Sequence, residues 1–551
     1  MMSLKPQPPQ PIPTEIAAWG AKHLTTDSPY RLVGDTLFAQ FHDADFTDLY
    51  HPEGKPGLSP VFLAFVTIFQ QLEKLPDRAA ANALVTRLDW KYALHRPLDD
   101  DGFDASVLVE FRQRLLDHAA ESRFFTAILS QFQAMGLLKT RGRQRTDSTH
   151  VLGAIRALNR LETAGETVRL ALNSLATAAP AWLQAQVQSD WLKRYGSPFK
   201  EWHLPQGETE RKTLVNQIGV DGLHLLHAVD ASDAPTWLRT LPAVEILRRV
   251  WIQQFYTDGV QIRWRTPEEL PPATRAINSP HDVDARYSKK RSTIWVGYKV
   301  HLTESCDDDA PRLITNVEVT PAPIADTDMT DTIHQHLAEA DRLPATHLVD
   351  AGYIDAEHLV TSQHEHQIDV FGPVPVDPSW QARAKTGFGT ADFRMDWQAE
   401  VAYCPAGKAS QHWRHEHDDH GNPVVHIEFA RADCGTCDVR TACTRSTQRG
   451  RQLIIREHDR FAALQAARQR QQTPAFQEQY ALRAGIEGSL SQGVRRCGLR
   501  QARYVGEAKN RLQELFVATA LNIIRVSTFL AGEAFTARAD PPFVRLMNAA
   551  A

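Results

Sequence analysis

A chain of 551 residues is too long for one ordinary core, so two to four domains, or one core carrying large insertions, are expected. Hydrophobic residues at 42% and charged residues at 23% exclude fibrous and disordered classes, no apolar run reaches membrane-spanning length, and MMSLKPQPPQPIPTE lacks the apolar stretch of a secretory signal, which leaves the cytoplasm as the expected compartment. The formal charge of −5 argues mildly against a nucleic-acid partner, but residues 440–525 hold 16 Lys and Arg against 6 Asp and Glu, a local excess that can form an electropositive channel or a solvated helical face.

Residues 1–18 are Pro- and Gln-rich and read as a disordered tail. From 19 to 138 the pattern is helical. LSPVFLAFVTIFQQLEKL predicts a helix with Ser59 as N-cap and Pro60 in the first turn, LPDRAAANALVTRLDWKYAL continues it, and DASVLVEFRQRLLDHAAESRFFTAILSQFQAMG closes at Gly136. RGRQRTDSTHV predicts a short strand ending near Asp147. Helix is expected from about Val151 to Gln186 and on to about Tyr256, a helical insertion over roughly 151–262. A Pro-rich loop ending in DARYSKKR leads to STIWVGYKVHLTE, where Ile294, Val296, Tyr298, Val300 and Leu302 alternate onto one face; RLITNVEVTP repeats the alternation, and the two predict an antiparallel hairpin. A helix over MTDTIHQHLAEADRL precedes THLVD, a short buried strand ending at Asp350, and IDVFGPVPV gives another strand. Residues 377–456 read as an irregular insertion rich in Cys and His. The chain then turns helical through Glu487, KNRLQELFVATALNIIRVSTFLAG predicts an amphipathic helix, and 536–551 form a tail.

Strand, hairpin, helix and strand make an α/β order, in which neighbouring strand ends project into one crevice. Asp147 and Asp350 fit that placement. Tyr480, Arg483 and Glu487, spaced i, i+3 and i+7, fall on one face of a helix and would bring a third carboxylate, a hydroxyl donor and a cation suited to phosphate oxygens. Carboxylates gathered in this way can hold two hard divalent ions, an arrangement used for phosphoryl transfer on nucleic acids. Taken singly, Asp147 could cap a helix through its Ser148–Thr149 context, Asp355 competes with Asp350 or caps the next helix, and His150 could be structural.

TDSTHV, VDAGYIDAEHL and the Tyr-x2-Arg-x3-Glu spacing resemble the three catalytic blocks of bacterial insertion-sequence DDE transposases. GKPGLSPVFLAFVTIFQQLEKLPDRAAANALVTRLDWKYAL with ASVLVEFRQRL is similar to their helical N-terminal domain, and KNRLQELFVATALNIIR to their C-terminal helix. The resemblance implies an RNase H-like mixed-sheet catalytic domain over 139–535, interrupted by the helical and the Cys/His-rich insertions, behind a DNA-binding helical domain over 19–138. It implies Asp147, Asp350 and Glu487 as catalytic ligands of two Mg²⁺ or Mn²⁺ ions, with Tyr480 and Arg483 in a Tyr-Arg-Glu-Lys signature. The lysine of that signature falls on Val494, and Arg495, beside Arg496, is the candidate to replace it.

By spacing, Cys404, Cys434, Cys437 and Cys443 could form a structural Zn²⁺ site, and His412, His415, His417 and His420 could contribute to a mixed one; unligated thiols are the alternative. Cys306 and Cys497 read as packing residues. Arg286, Lys289, Lys290 and Arg291 precede the Ile294 strand and could grip a DNA backbone, as could Arg495, Arg496, Arg500 and Arg503, or they could be solvated. The expected partners are DNA ends and target in a dimer or larger synaptic assembly, with no membrane. Two alternatives stand beside transposition: a catalytically inactive or domesticated DNA-binding regulator, and a metal-dependent nuclease that cuts without joining.

Overall fold

The computed structural model describes residues 2–259, 261–384, 386–419, 421–532 and 545–547. His420 and all of the expected C-terminal tail except 545–547 lie outside the described residues. The central sheet has six strands: β1 (Arg143–Leu152), β2 (Arg286–Lys290), β3 (Thr293–Ser305), β4 (Ile314–Pro321), β5 (Thr346–Leu348) and β6 (Asp369–Phe371). Their order is β6-β5-β1-β3, and the far side of β3 is shared: β2 pairs its first half and β4 its second. The β1–β5 and β5–β6 pairs are parallel and the rest antiparallel, giving a mixed sheet consistent with an RNase H-like core.

β1 does not end near Asp147. It runs on to Leu152 because β3 pairs it throughout, from Gln144 opposite Ser305 to Leu152 opposite Gly297. The helix expected from Val151 begins instead at Arg160, where Asn159 and Glu162 form a capping box that starts the Arg160–Ala178 helix. The predicted hairpin of β3 and β4 is present, with Tyr298, Val300 and Leu302 buried and Ile294 exposed at the end paired with β2. The Cys/His-rich segment is not irregular: Ser410–His417, Pro423–Phe429 and Gln452–Arg456 form a three-stranded antiparallel sheet over a small core of its own.

Ser59 caps the Pro60–Glu73 helix by accepting the Phe62 N–H (3.0 Å). That helix packs on the C-terminal helix Glu507–Leu530, whose other side packs on β4. The expected amphipathic face is absent there, since residues all round the C-terminal helix are buried, and its polar groups bond internally: the Asn522 amide pairs with both the N–H and the C=O of Ile314, at 2.7 and 2.8 Å. One apolar core therefore joins Phe65 and Phe69, Leu515 and Phe516, and Val300 and Leu302 across N-terminal helices, C-terminal helix and sheet. The helices between Arg160 and Gln254 have a separate core around Trp191, Leu225 and Trp251. The first residues are tied rather than free: Met2–Ser3 pair with Lys55–Pro56, a helix spans Thr14–His23, and Ile16 is buried. Among the described residues no helix is long and apolar enough to cross a membrane.

Candidate active site

In the parallel pair, Arg145 lies opposite Leu348. Two residues further on in each segment are Asp147 and Asp350, so the sheet register sets the two carboxylates level. Asp147 is 9% exposed, and its Oδ1 accepts the Ser148 N–H (2.8 Å); Asp350 lies just past the β5 end, where its Oδ1 accepts the Gly352 N–H (2.8 Å). Asp355 caps the Ala356–His366 helix through the His358 N–H, which removes it as a competitor for the site.

Tyr480, Arg483 and Glu487 do not share one continuous α-helix. The chain runs as a helix to Ala481, tightens to 3₁₀ over Leu482–Ala484 and restarts at Gly485–Cys497. The three side chains still reach the strand ends. Arg483 Nη2 lies 2.6 Å from Asp147 Oδ2 and 3.5 Å from Asp350 Oδ2, and its Nη1 lies 3.8 Å from Glu487 Oε1. Tyr480 stacks on Phe476, which stacks on Phe371 of β6, and burial raises its hydroxyl pKa, with Asp350 and Asp147 adding to the effect.

Three carboxylates face one guanidinium directly, with the other cations of the site further off along its wall. Burial pushes the Asp147 carboxyl above its ordinary range and the Asp350 charge adds to this, against the pull of Arg483, the Ser148 N–H and Lys290. Carboxylate oxygens are hard donors of the kind divalent cations prefer. With Arg483 between them, however, no group of three or more His, Cys, Asp or Glu among the described residues is arranged to hold an ion.

The carboxylates open into a cavity of about 660 Å³ whose walls include Lys290, Arg291, Lys299, Arg495 and Arg500. Arg500 is fixed there by a bond to Thr149 Oγ1 (2.8 Å), and His150 lines the same space, its pKa lowered by burial and then by Arg500. Lys289, Lys290 and Arg291 sit not in a loop but at the tip of the β2–β3 hairpin, where Arg291 takes φ +56°. Lys289 is exposed but does not line the cavity, and Arg496 borders a neighbouring groove with Lys74 and Tyr30. Two expected backbone contacts are structural instead: buried Arg286 bonds the Thr274 and Val283 carbonyls, and Arg503 bonds Leu75 O and Gln71.

Sequence reasoning missed Asp326. It accepts from Lys299 Nζ (2.8 Å) and Ser148 Oγ (3.1 Å), and lies beside His301 and Lys290 at 3.9 Å. Burial alone would raise its pKa, but the bond and charge of Lys299, then His301 and Lys290, hold it below the ordinary range. Its signal in PIADTDMTD is indistinguishable from that of Asp328 and Asp331.

The four clustered cysteines come together around one small cavity with Phe388, Phe429 and Arg451, all as free thiols. Cys404 Sγ accepts the Lys408 N–H (3.3 Å) and Cys434 Sγ the Arg451 N–H (3.4 Å). Among the described residues no histidine lines this cavity; His412, His415 and His417 lie on the exposed strand Ser410–His417, so a mixed site is not formed by them. Cys306 and Cys497 are buried, with thiols pushed up to about 11 and about 12, and pack as expected.

Neither a curated protein nor a solved structure matches the chain. Two family models do: a transposase domain (DUF772) over residues 20–114 and a transposase DDE domain over residues 403–527. The second span takes in Tyr480, Arg483, Glu487 and the four cysteines, and neither match reaches Asp147 or Asp350. Together the two matches support an insertion-sequence DDE transposase.

Proposed function

We propose that this chain binds the ends of a mobile DNA element, cleaves them in a metal-dependent reaction and joins the freed 3′-hydroxyl to target DNA. The observation that carries this is the convergence of Asp147, Asp350 and Glu487, far apart in sequence, on the Arg483 guanidinium inside a cavity with a cationic wall. The three carboxylates would hold two Mg²⁺ or Mn²⁺ ions, divalent metals being typical of the DDE family. Such a pair, when bound, neutralises phosphate charge and lowers the pKa of water.

The chain's own residues supply the rest. Arg483 exchanges carboxylate oxygens for phosphate oxygens, and Tyr480 donates beside it. Lys290, Arg291, Arg495 and Arg500 hold the backbone along the wall, with Lys289 and Arg496 flanking it, contacts that confer affinity and salt dependence rather than sequence preference. In cleavage a water oxygen bonds to phosphorus and the bond to the 3′ oxygen breaks, leaving a 3′-hydroxyl and a 5′-phosphate. In joining, that 3′ oxygen bonds to a target phosphorus and the target's own 3′ oxygen departs. The number of phosphodiesters is conserved in this second step, so it needs no covalent protein–DNA link. Two ends held together call for a homodimer or larger synaptic complex, acting on DNA in the bacterial cytoplasm.

The test supplies labelled terminal DNA with Mg²⁺ or Mn²⁺ to the intact protein and to Asp147→Asn, Asp350→Asn and Glu487→Gln. Joined product from the intact protein alone supports transposition. Binding without cleavage makes the protein a regulator, and cleavage without joining makes it a nuclease.

Cys404, Cys434, Cys437 and Cys443 line one cavity beside the small sheet and its core, and this shared lining is the support for a structural Zn²⁺ there, although the thiols as placed do not form a metal-holding group. Elemental analysis of purified protein is expected to give one zinc per chain, lost in Cys437→Ser; a metal-free, equally stable protein would remove the proposal.

A further inference from the structure

We propose that Glu304 is a positioning residue for the cleavage reaction, fastening the helix of Glu487 and the turn of Arg483 to the strand of Asp147; the role presupposes the catalytic reading above. In the β1–β3 register Arg145 stands opposite Glu304, and Asp147 opposite Leu302. Side chains two apart along a strand share a face. The Arg145–Glu304 pair therefore lies on the same side of the sheet as Asp147, one step along.

Glu304 Oε1 accepts from Arg145 Nε (2.8 Å) and Nη2, and Oε2 accepts from Arg525 Nη1 (2.9 Å) and from the Ser489 hydroxyl. Ser489 is two residues past Glu487 on the same helix. Arg525 reaches that helix again through Gln492 Oε1 (3.1 Å). The remaining arm of Arg145 donates to the Leu482 carbonyl, one residue before Arg483. Gly485, at the start of the helix, permits this approach, because a side chain there would meet the Arg145 guanidinium held by those bonds.

A carboxylate has about four acceptor sites. Those of Glu304 are all filled, by Arg145 twice, Arg525 and Ser489, so none is left for a metal or a substrate. Arg145, Glu304 and Arg525 are at most 2% exposed. A buried ionic cluster of this kind is a poor source of stability compared with apolar packing of equal volume. What it adds is direction: its bonds run to β1, β3, the Leu482 turn, the Glu487 helix and the C-terminal helix, and all are satisfied together only in one relative placement. Asp147 and Glu487 reach the same cavity through that placement.

Ser489→Ala removes the helix tether while leaving the ion pairs, Glu304→Gln removes the charge at constant shape, and Ser489→Thr keeps the hydroxyl. Two readouts apply to the full chain: hydrogen exchange of the 485–497 amides without DNA, and the Mn²⁺ concentration for half-maximal cleavage of saturating terminal DNA. In Ser489→Ala and Glu304→Gln the 485–497 amides are expected to exchange about tenfold faster, while the insertion helices 160–254 keep wild-type rates. The Mn²⁺ midpoint is expected to rise by roughly tenfold at unchanged DNA affinity, the size of effect produced by losing outer partners of metal ligands. Ser489→Thr is expected to restore both. If Glu304→Gln does not fold, Ser489→Ala decides. Wild-type exchange in Ser489→Ala, or faster exchange with an unmoved Mn²⁺ midpoint, overturns the proposal. A wild-type protein that cleaves no DNA refutes the catalytic reading instead, and the exchange measurement still reports on the tether.

Discussion

Two charge clusters meet on strand β1, at Asp147 and at Arg145 one pleat away, and are built to opposite rules. Around Arg483 three carboxylates share one cation, Glu487 has 68% of its side chain exposed, and Asp147 is pushed toward protonation. Around Glu304 two guanidiniums share one carboxylate, every acceptor site is used, and the pairs are sealed from water. A saturated cluster holds elements together. A cluster with one perturbed and one exposed carboxylate, opening into a cavity, leaves room for a ligand.

The largest expected effect breaks the first cluster. Asp147→Asn, Asp350→Asn and Glu487→Gln should each lower cleavage by more than about a hundredfold, beyond the loss from outer partners of metal ligands, with gel-shift affinity for terminal DNA retained. Equal cleavage in any of the three would remove that residue from the site. The next effect contrasts the clusters on stability. Glu304→Gln strands two buried guanidiniums and should destabilise by about 3–5 kcal/mol in urea unfolding. Glu487→Gln, on a mainly exposed side chain, should stay within about 0.5 kcal/mol. Equal values would erase the distinction between holding and binding.

How much of this was readable in the sequence depended on whether the cause was local. The Ser59 cap and the alternation of Tyr298, Val300 and Leu302 are local signals, and the helix and hairpin they predict are present. The extension of β1 past Asp147 was hidden because Ser148, Thr149 and His150 look like turn or cap residues until β3 pairs them. The sheet within 377–456 was obscured because Ser410–His417 is mostly exposed and polar; the alternation of Val425, Ile427 and Phe429 in the next strand was the signal that could have found it. In the C-terminal helix Asn510, Gln513, Asn522 and Arg525 imitate a solvent face, yet each is buried with a partner inside the protein. Asp147, Asp350 and Glu487 stood out because the motif order was informative. Asp326 and Glu304 acquire meaning only from partners brought by the fold.

The opposite face of β1 extends the contrast to pH. Thr146 there bonds His347 Nε2 (2.6 Å), whose Nδ1 meets His334 Nε2 (2.7 Å). Burial pushes His347 down to about 3 and, with the charges of neighbouring histidines, His334 down to about 2. Both are neutral in the fold, whereas an unfolded histidine titrates near 6.5. Their contribution is therefore present above about pH 6.5 and is lost as pH falls toward the folded values, at up to about 1.4 kcal/mol per pH unit for each. Urea midpoints should fall across that window, and His347→Gln should flatten the slope; a flat wild-type profile would show that these rings are not held neutral.

The smallest effect belongs to the cavity wall. Lys290 and Arg291, at the hairpin tip, line the same cavity as the three carboxylates, and the ion pair of Lys290 is a long one to Asp326 outside that cluster, at 3.9 Å. If they hold phosphates, Lys290→Ala and Arg291→Ala should each reduce the slope of log affinity against log salt by about 1, uniformly across DNA sequences. Lys289→Ala, whose side chain does not line the cavity, should reduce it less. An unchanged slope in the first two variants would mean that the cations at the tip serve the carboxylates rather than DNA, and the wall contacts would then fall to Arg495 and Arg500.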